Sequence, residues 1–254
     1  QGFYDLASGI LTQRRNLNTI SNNMVNIQTA GYKKDNMVST TFKEEMMIRT
    51  GRHNKKNPKD IAMASRIKSA ARTYTDYEQG SYETTDGIYD VALNGRGFFA
   101  VNTEKGRMYT RGGSFSVNEN GVLELAGVGK VQREEGHDIV LPGDDFAIDV
   151  NGAVYDPKST GENRTVYGTL KIVDFNHYEA LHKEDNNLFS TSEAELTRPA
   201  TTTVNWKMLE KSNVNMVEEM TGMMSSQRAL QSAAQMLKMY DSVMSKASTD
   251  VGRL

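Results

Sequence analysis

Apolar residues recur three and four positions apart along the start of the chain. The series has one polar member, Gln13, and its apolar members are Phe3, Leu6, Ile10, Leu17, Ile20, Met24 and Ile27. This heptad spacing predicts an amphipathic helix with a coiled-coil seam. The pattern stops before Gly31, and a glycine past the last periodic residue is a common helix end. Five asparagines lie between residues 16 and 26, so we expect this helix to be marginal in isolation.

The end of the chain repeats this spacing. Its seam is interrupted by the polar residues Gln227, Asp241 and Ser248, and its apolar members are Met216, Met220, Met223, Leu230, Ala234, Leu237, Met244 and Val251. A second apolar seam lies beside it, through Ala229, Ala233, Met236, Tyr240, Val243 and Ala247. Two adjacent seams indicate a wide apolar face that needs more than one neighbour. Asn215 is suited to cap this helix, with Glu218 three residues later.

Between residues 80 and 206 the pattern changes to short runs separated by turn residues. Residues 104–106 and 118–121 each separate two such runs, which predicts two β-hairpins. The predicted fold class is therefore α+β, with an all-β central domain that is a sandwich or an open barrel. The matched period of the terminal helices predicts that they pair as a coiled-coil stem. Periodicity alone leaves open that each helix packs separately on the central domain.

We expect four segments in this fold. Residues 1–42 contain the N-terminal helix, and residues 43–79 form an extended basic connector with little regular structure. The β-rich domain occupies residues 80–206, and residues 207–254 contain the C-terminal helix.

Charge is segregated along the chain. The net charge is −2, yet residues 43–72 hold nine Lys and Arg against three acids, a local excess of +6. No aromatic residue interleaves with these basic residues, so a solvated or partner-facing linker is favoured over a nucleic-acid site. The chain has no cysteine, which excludes disulfides and thiolate chemistry. No apolar run approaches the roughly 20 residues that cross a bilayer, so we expect no membrane insertion.

No arrangement of residues predicts catalysis. Gly95 and Gly97 lead into Phe98 and Phe99, without the third glycine of a dinucleotide-binding motif. Residues 127–130 lack the spacing of a phosphate-binding loop, and the four histidines are scattered. We therefore expect a protein that is not an enzyme and has no catalytic residue, cofactor or metal.

Three motifs resemble the signatures of flagellar rod and hook proteins. Residues 17–33 (LNTISNNMVNIQTAGYK) resemble the N-terminal signature, and residues 90–99 and 109–121 (DVALNGRGFF and YTRGGSFSVNENG) resemble the central one. Residues 209–215 (LEKSNVN), 219–220 and 227–229 resemble the C-terminal signature. The positions that carry the resemblance are Asn22, Asn23, Asn26, Thr29, Gly31, Gly95, Gly97, Phe98, Phe99, Thr110, Arg111, Ser212, Asn213, Asn215 and Arg228. Modest departures from the family pattern occur at Val25, Met208 and Leu230.

The resemblance implies a structural subunit of the flagellar rod. It implies a place in the basal body, in the periplasmic space or cell envelope, and passage through the flagellar type III export apparatus without a cleaved signal peptide. The partners would be copies of the chain and other rod and hook-family proteins. The single short β region resembles rod proteins more than the hook protein, and the short connector favours the proximal (FlgF) type over the distal (FlgG) type.

In such a subunit the terminal seams would form the assembly interface. The expected interface residues are Leu6, Ile10, Leu17, Ile20, Met24, Ile27, Met216, Met220, Met223, Leu230, Leu237 and Met244. The alternative is a secreted coiled-coil adhesin or binding module whose β domain holds a ligand. That function calls for an exposed aromatic cluster, for which the candidates are Tyr74, Tyr77, Tyr82 and Tyr89. We expect these tyrosines to pack near the entrance of the β domain instead.

Overall fold

The computed structural model describes residues 2–41, 44–49, 59–65, 68–159 and 164–251. It has two long helices, α1 (Gly2–Val25) and α2 (Met216–Val251), near the two ends of the chain. Between them the described residues are mostly strands and turns. The fold is therefore α+β, as predicted.

Helix α1 ends earlier than the heptad pattern suggests. The Thr29 N–H donates to the carbonyl oxygen of Asn26 at 3.1 Å, and the Thr29 hydroxyl donates to Oδ1 of Asn26 at 3.2 Å. These bonds close a turn in place of another helical turn. Ile27, the last position of the predicted seam, consequently lies beyond the helix.

The chain forms two compact units. Unit 1 comprises residues 1–24, 35–74 and 215–254, and unit 2 comprises residues 25–34 and 75–214. Both α1 and α2 belong to unit 1. The predicted segment boundaries remain predictions.

Unit 1 contains strands in the region expected to be an extended connector. Strand β1 (Asp35–Thr41) pairs with β4 (Lys68–Thr75), and β2 (Glu44–Arg49) pairs antiparallel with β3 (Lys59–Ser65). The prediction of little regular structure is wrong here, because apolar runs inside β2 and β3 pair with each other despite the flanking charges. The side chains of residues 40–71, which include most of the basic stretch, lie outside the described part.

Unit 2 is built on a nine-stranded sheet with the path β16-β17-β8-β7-β11-β10-β9; β15 also pairs with β7, and β18 pairs with β15. Both predicted hairpins are confirmed, one between β7 and β8 and one between β9 and β10. The sheet strands are β7 (Phe98–Thr103), β8 (Gly106–Thr110), β9 (Phe115–Val117), β10 (Leu123–Leu125), β11 (Gly129–Val131), β15 (Ile172–Asp174), β16 (His182–Lys183), β17 (Leu188–Ser190) and β18 (Leu196–Thr197).

Smaller sheets complete unit 2. Strand β20 pairs with β5, β19 pairs with β6, and β12, β13 and β14 form a three-stranded sheet. The 3-10 turns are Tyr178–Ala180 and Asp185–Asn187. The strands are β5 (Tyr82–Thr84), β6 (Val91–Asn94), β12 (Ala147–Ile148), β13 (Ala153–Tyr155), β14 (Val166–Thr169), β19 (Thr203–Trp206) and β20 (Met208–Glu210).

Strand β7 is buried on both of its faces. Successive side chains of a strand point to opposite faces, so Phe98 and Phe99 enter different apolar clusters. Phe98 packs 5.5 Å from Phe189 between ring centroids, whereas Phe99 packs 5.2 Å from Phe115. The core of unit 2 therefore lies on either side of β7.

Candidate functional site

A buried ion pair joins the segment after α1 to the segment before α2. Nζ of Lys33 lies 2.6 Å from Oε1 of Glu210, and the two side chains are 1% and 0% exposed. The ammonium group also donates a hydrogen bond to the carbonyl oxygen of Glu78 at 2.7 Å. Burial lowers the pKa of Lys33, and the carboxylate of Glu210 opposes that shift by favouring the charged form.

Glu210 also faces a second cation. Its Oε2 lies 3.6 Å from Nη1 of Arg111, and its Oε1 accepts a hydrogen bond from the N–H of Gly80 at 3.1 Å. Arg111 donates from Nη2 to the carbonyl oxygen of Gly95 at 2.5 Å. Among the described residues, neither Nη1 of Arg111 nor Oε2 of Glu210 has a hydrogen-bond partner, so charge attraction is what joins them. We call Lys33, Arg111 and Glu210 the charge cluster.

A glycine brings the backbone of the first motif against this cluster. The N–H of Gly31 donates to the carbonyl oxygen of Glu210 at 2.7 Å. A Cβ at Gly31 would lie 2.4 Å from the carbonyl carbon of Arg111 and 2.4 Å from the nitrogen of Gly112. Its φ of +67° is also unfavourable for an L side chain. The close approach therefore requires glycine.

Asn213 ties three stretches of unit 2 together. Its Oδ1 accepts a hydrogen bond from the N–H of Lys34 at 2.7 Å. Its Nδ2 donates to the carbonyl oxygen of Asp76 at 2.9 Å and to that of Glu78 at 3.2 Å. One amide side chain thus satisfies backbone groups that no regular strand pairing reaches.

Three contacts pair α1 with α2 inside unit 1. Nδ2 of Asn16 donates to Oγ of Ser226 at 3.1 Å, and Nδ2 of Asn23 donates to Oε1 of Glu219 at 3.3 Å. Between them, a Cβ built on Gly222 would lie 3.2 Å from Cδ1 of Ile20. Positions rise along α1 as they fall along α2, so the two helices run antiparallel.

Asn23 also anchors the start of β1, and Asn215 caps α2. Asn23 is 1% exposed; its Nδ2 donates to the carbonyl oxygen of Asp35 at 2.9 Å and its Oδ1 accepts from the Asp35 N–H at 3.0 Å. Oδ1 of Asn215 accepts from the N–H groups of Val217 and Glu218 at 3.1 and 3.4 Å. The predicted N-cap is thus confirmed.

Two family models match the chain. One describes the D1 domain of the flagellar hook protein FlgE/F/G and matches residues 92–155; the other describes the C-terminal region of the flagellar basal body rod FlgEFG protein and matches residues 207–250. The flagellar basal-body rod protein FlgF of Caulobacter vibrioides is 31% identical over 235 residues, covering 89% of this chain and 88% of the relative. The chain belongs to the flagellar basal-body rod protein family.

Relatives of both rod types resemble this rod protein. FlgG of Buchnera aphidicola is 27% identical and FlgG of Bacillus subtilis is 28% identical, and each alignment covers at least 95% of this chain and 96% of the relative. Since proteins named FlgF and FlgG both match, the proximal type stays a prediction.

In this rod protein the three motifs meet at the charge cluster. Lys33 closes the first motif, Arg111 lies in the central one, and Glu210 lies in the third. Sequence reasoning singled out Gly31, Arg111 and Asn213, but it missed Lys33 and Glu210 as site residues. Their one signal was a place inside the motifs, since a lysine and a glutamate are ordinarily solvated.

The other motif residues have varied positions. Gly95 and Gly97 take positive φ values of 108° and 122° before β7. Oγ1 of Thr110 accepts the Gly112 N–H at 3.0 Å, and Oγ of Ser212 accepts the Val214 N–H at 3.3 Å. Phe98 and Phe99 belong to the core, whereas the side chains of Asn22 and Arg228 are exposed.

Within the single chain the predicted seam positions are only partly covered. On α1, Ile20 is buried, and the half-buried members are Leu6, Ile10, Leu17 and Met24. On α2, Met223, Leu230 and Leu237 are half-buried. Met216, Met220 and Met244 are 52%, 47% and 57% exposed.

Three of the four candidate tyrosines take part in packing. Tyr77 lies 5.0 Å from Tyr178 between ring centroids, and Tyr89 stacks on Phe146 at 5.5 Å. The Tyr82 hydroxyl donates to the carbonyl oxygen of Leu93 at 3.0 Å. Tyr74 is 52% exposed and belongs to unit 1. These four side chains therefore do not assemble into an aromatic surface on unit 2.

The described ranges hold neither a candidate metal site nor a candidate membrane-spanning helix. Among these residues no cluster of three or more His, Asp or Glu side chains could hold a metal ion. In the same part of the chain, no helix is both long and apolar enough to span a membrane.

Proposed function

We propose that this structural subunit of the flagellar rod polymerises through the seams of its terminal helices and transmits torque in the assembled rod. Its partners are copies of itself and other rod and hook-family proteins. The observation that carries the proposal is the exposure of Met216, Met220 and Met244, which are about half exposed although they occupy seam positions. A heptad seam of this kind is stabilised when it packs against neighbouring helices.

The energetics favour association through these seams. Burying a Met or Leu side chain completely is worth roughly 1.5–3 kcal/mol, so covering a half-exposed side chain contributes about 1 kcal/mol before the entropy of ordering is subtracted. Several such side chains on each subunit, repeated along a polymer, would hold a subunit in place. The second seam on α2, which includes Met236 and Val243 at 51% and 65% exposure, offers a further face.

The paired stem is part of this proposal. The antiparallel contacts of Ile20 with Gly222 and of Asn23 with Glu219 support it. Helix α2 has 36 residues against 24 in α1, so at ~1.5 Å per residue it is about 18 Å longer. The extra length leaves part of α2 for contacts with other subunits.

Unit 2 would act as the rigid part of the subunit, and we propose that it is sandwich-like. Apolar clusters on both faces of β7 support this view, since close-packed interiors transmit strain. The charge cluster and Asn213 would fix where the chain leaves unit 2 toward each terminal helix.

We also propose export through the flagellar type III apparatus and a location in the cell envelope. A chain without cysteine cannot form disulfides during passage. The four asparagines of α1, Asn16, Asn18, Asn22 and Asn23, keep that helix weak before partners cover it. Circular dichroism of the monomer tests this point, because a fully stable helix pair before assembly would contradict it.

Complementation of a strain that lacks the gene tests the proposed function. Ile20→Asp and Leu237→Asp place a carboxylate on the seams and should abolish incorporation into basal bodies, while unit 2 keeps its folded signature in near-ultraviolet circular dichroism. Gln231→Asp places the same charge on an exposed position of α2 outside both seams and should leave motility normal. Motile cells with normal rods carrying Leu237→Asp would refute the proposal.

A further inference from the structure

Methionine is the principal peroxide-sensitive residue of this chain. The sequence has 14 methionines and no cysteine, and seven of the methionines lie on α2. Six of those seven are about half exposed: Met216, Met220, Met224, Met236, Met239 and Met244. Met108, in the core of unit 2, is 8% exposed. Among the methionines whose side chains the structure describes, these six on α2 are the most exposed to an oxidant.

The exposed methionines of α2 divide by position. Met216, Met220 and Met244 belong to the first apolar seam and Met236 to the second, whereas Met224 and Met239 lie outside both seams. Their exposures overlap, at 47% to 57% for the seam members and 52% and 60% for the other two. Variants of these two groups of methionines therefore distinguish the effect of lying on a seam from the effect of solvent exposure.

We propose that Met216, Met220, Met236 and Met244 form an oxidation-sensitive set on the two seams, and that it blocks assembly of the free subunit when a peroxide converts these residues to the sulfoxide form. Each sulfur gains one oxygen atom as the O–O bond of hydrogen peroxide breaks. The sulfur loses two electrons, and the peroxide is reduced to water. The inference rests on the proposed function, because it requires the seam to be buried in the polymer.

Polarity is the reason that oxidation would act on assembly. A thioether is apolar and flexible, so it fills gaps between helices, whereas a sulfoxide is polar and chiral. Burying a sulfoxide without a hydrogen-bond donor opposite it is unfavourable. In the free subunit these side chains face water, so oxidation leaves unit 2 folded and weakens only the step that covers them. Methionine sulfoxide reductases reverse the change.

The test uses the purified full chain and hydrogen peroxide. Peptide mass spectrometry follows oxidation at each methionine, catalase removes the peroxide, and sedimentation measures polymer. We expect sulfoxide at Met216, Met220, Met236 and Met244 before Met108, and a fall in association of at least about tenfold, the change that ~1.4 kcal/mol produces. Reductase treatment should restore assembly. Wild-type chain that carries sulfoxide at Met216, Met220, Met236 and Met244 and still assembles fully would overturn the proposal.

Two variants identify which sulfurs matter. The seam variant M216L/M220L/M236L/M244L removes the exposed sulfurs of both seams, keeps the side-chain volume nearly constant and should assemble after peroxide treatment. The control M224L/M239L removes two equally exposed sulfurs outside the seams and should lose assembly as the wild type does. Equal loss in the seam variant would also overturn the proposal, because another methionine would then be responsible.

Leu237→Asp separates the two proposals. If this variant polymerises as well as the untreated wild type, the proposed function fails, since the seam is then dispensable. If Leu237→Asp blocks assembly while oxidised wild type assembles, the seam is required and only the oxidation proposal fails.

Discussion

Lys33 and Glu210 form a buried ion pair at 2.6 Å although 177 positions separate them in the sequence. Both charges are removed from water, and their mutual attraction together with the Glu78 carbonyl and the Gly80 N–H compensates for that loss. The pair holds together the two segments of unit 2 that lead to the terminal helices.

Removing one member of this ion pair should destabilise the protein more than replacing both members by apolar residues. Glu210→Leu leaves a buried ammonium group unpaired and should lower the free energy of unfolding by about 3–5 kcal/mol. The double variant K33M/E210L removes both charges and should be less destabilised than the sum of the two single variants. Urea unfolding of the full chain measures each value.

A neighbouring surface pair provides the control for that series. Lys211 and Glu83 lie 3.0 Å apart with 47% and 58% exposed side chains, so Lys211→Met should change stability by no more than about 1 kcal/mol. Strict additivity at Lys33 and Glu210 would contradict the account of a coupled buried pair.

Alanine substitutions at Gly31 and Gly127 distinguish the cost of a steric clash from the cost of backbone strain. Their φ values are +67° and +68°, but a Cβ at Gly127 meets nothing within 4 Å. Gly127→Ala should therefore lose about 1–2 kcal/mol for the left-handed conformation alone. Gly31→Ala adds a collision with the Arg111 backbone and should lose several times as much in urea unfolding. Similar losses in the two variants would mean that the close approach at Gly31 is not required.

Glu195 should contribute stability that disappears in acid. Burial acts to raise its pKa, but hydrogen bonds from Lys171, Tyr109 and Arg107 outweigh burial and lower the pKa below its ordinary value of 4.5. The unfolded chain then takes up the proton first as the pH falls. The contribution is present above about pH 4.5 and is lost below it, as the pH passes through the lowered folded-state pKa.

The free energy of unfolding, measured between pH 6 and pH 3, checks that this contribution is lost as the pH falls. Glu195→Gln should flatten the decline of stability with falling pH, because it removes the carboxylate that the three donors stabilise. An unchanged slope in Glu195→Gln would show that the three donors do not hold the carboxylate charged.

Asn23 should matter more than other asparagines of α1. Asn23→Ala removes two hydrogen bonds to the backbone of Asp35 and one to the Glu219 carboxylate. We expect a loss of about 1–3 kcal/mol, since these three hydrogen bonds lie at buried or half-buried groups. Hydrogen exchange at the Asp35 amide measures the loss of its hydrogen bond to Asn23 directly. Asn18→Ala, at an exposed position, should have no such effect, and unchanged protection in Asn23→Ala would contradict the assignment.

The helices, the hairpins and the motif positions followed from local patterns in the sequence. A heptad repeat predicted α1 and α2, and turn residues such as Gly106 and Gly121 marked the two hairpins, because both signals depend on neighbours within a few residues. The α1 boundary was less accurate, since the turn at Asn26 and Thr29 interrupts an unbroken apolar spacing.

The pairings between distant segments could not be predicted in this way. The strands β1 to β4 were missed because the charges of this region suggested a solvated connector. Strand β1 pairs with the distant β4, whereas β2 and β3 pair with each other. Lys33 is followed by Lys34, and two adjacent lysines ordinarily indicate a solvent-exposed segment. The local sequence does not predict that the distant Glu210 carboxylate lies against Lys33 in the interior.

An electron-microscopy map of purified basal bodies that traces this subunit tests the central claim most directly. We predict that α1 and α2 lie against each other and against neighbouring subunits, with Met220 and Leu237 buried at subunit contacts. A map in which the two helices lie apart, or leave these seam residues facing solvent in the assembled rod, would contradict the account.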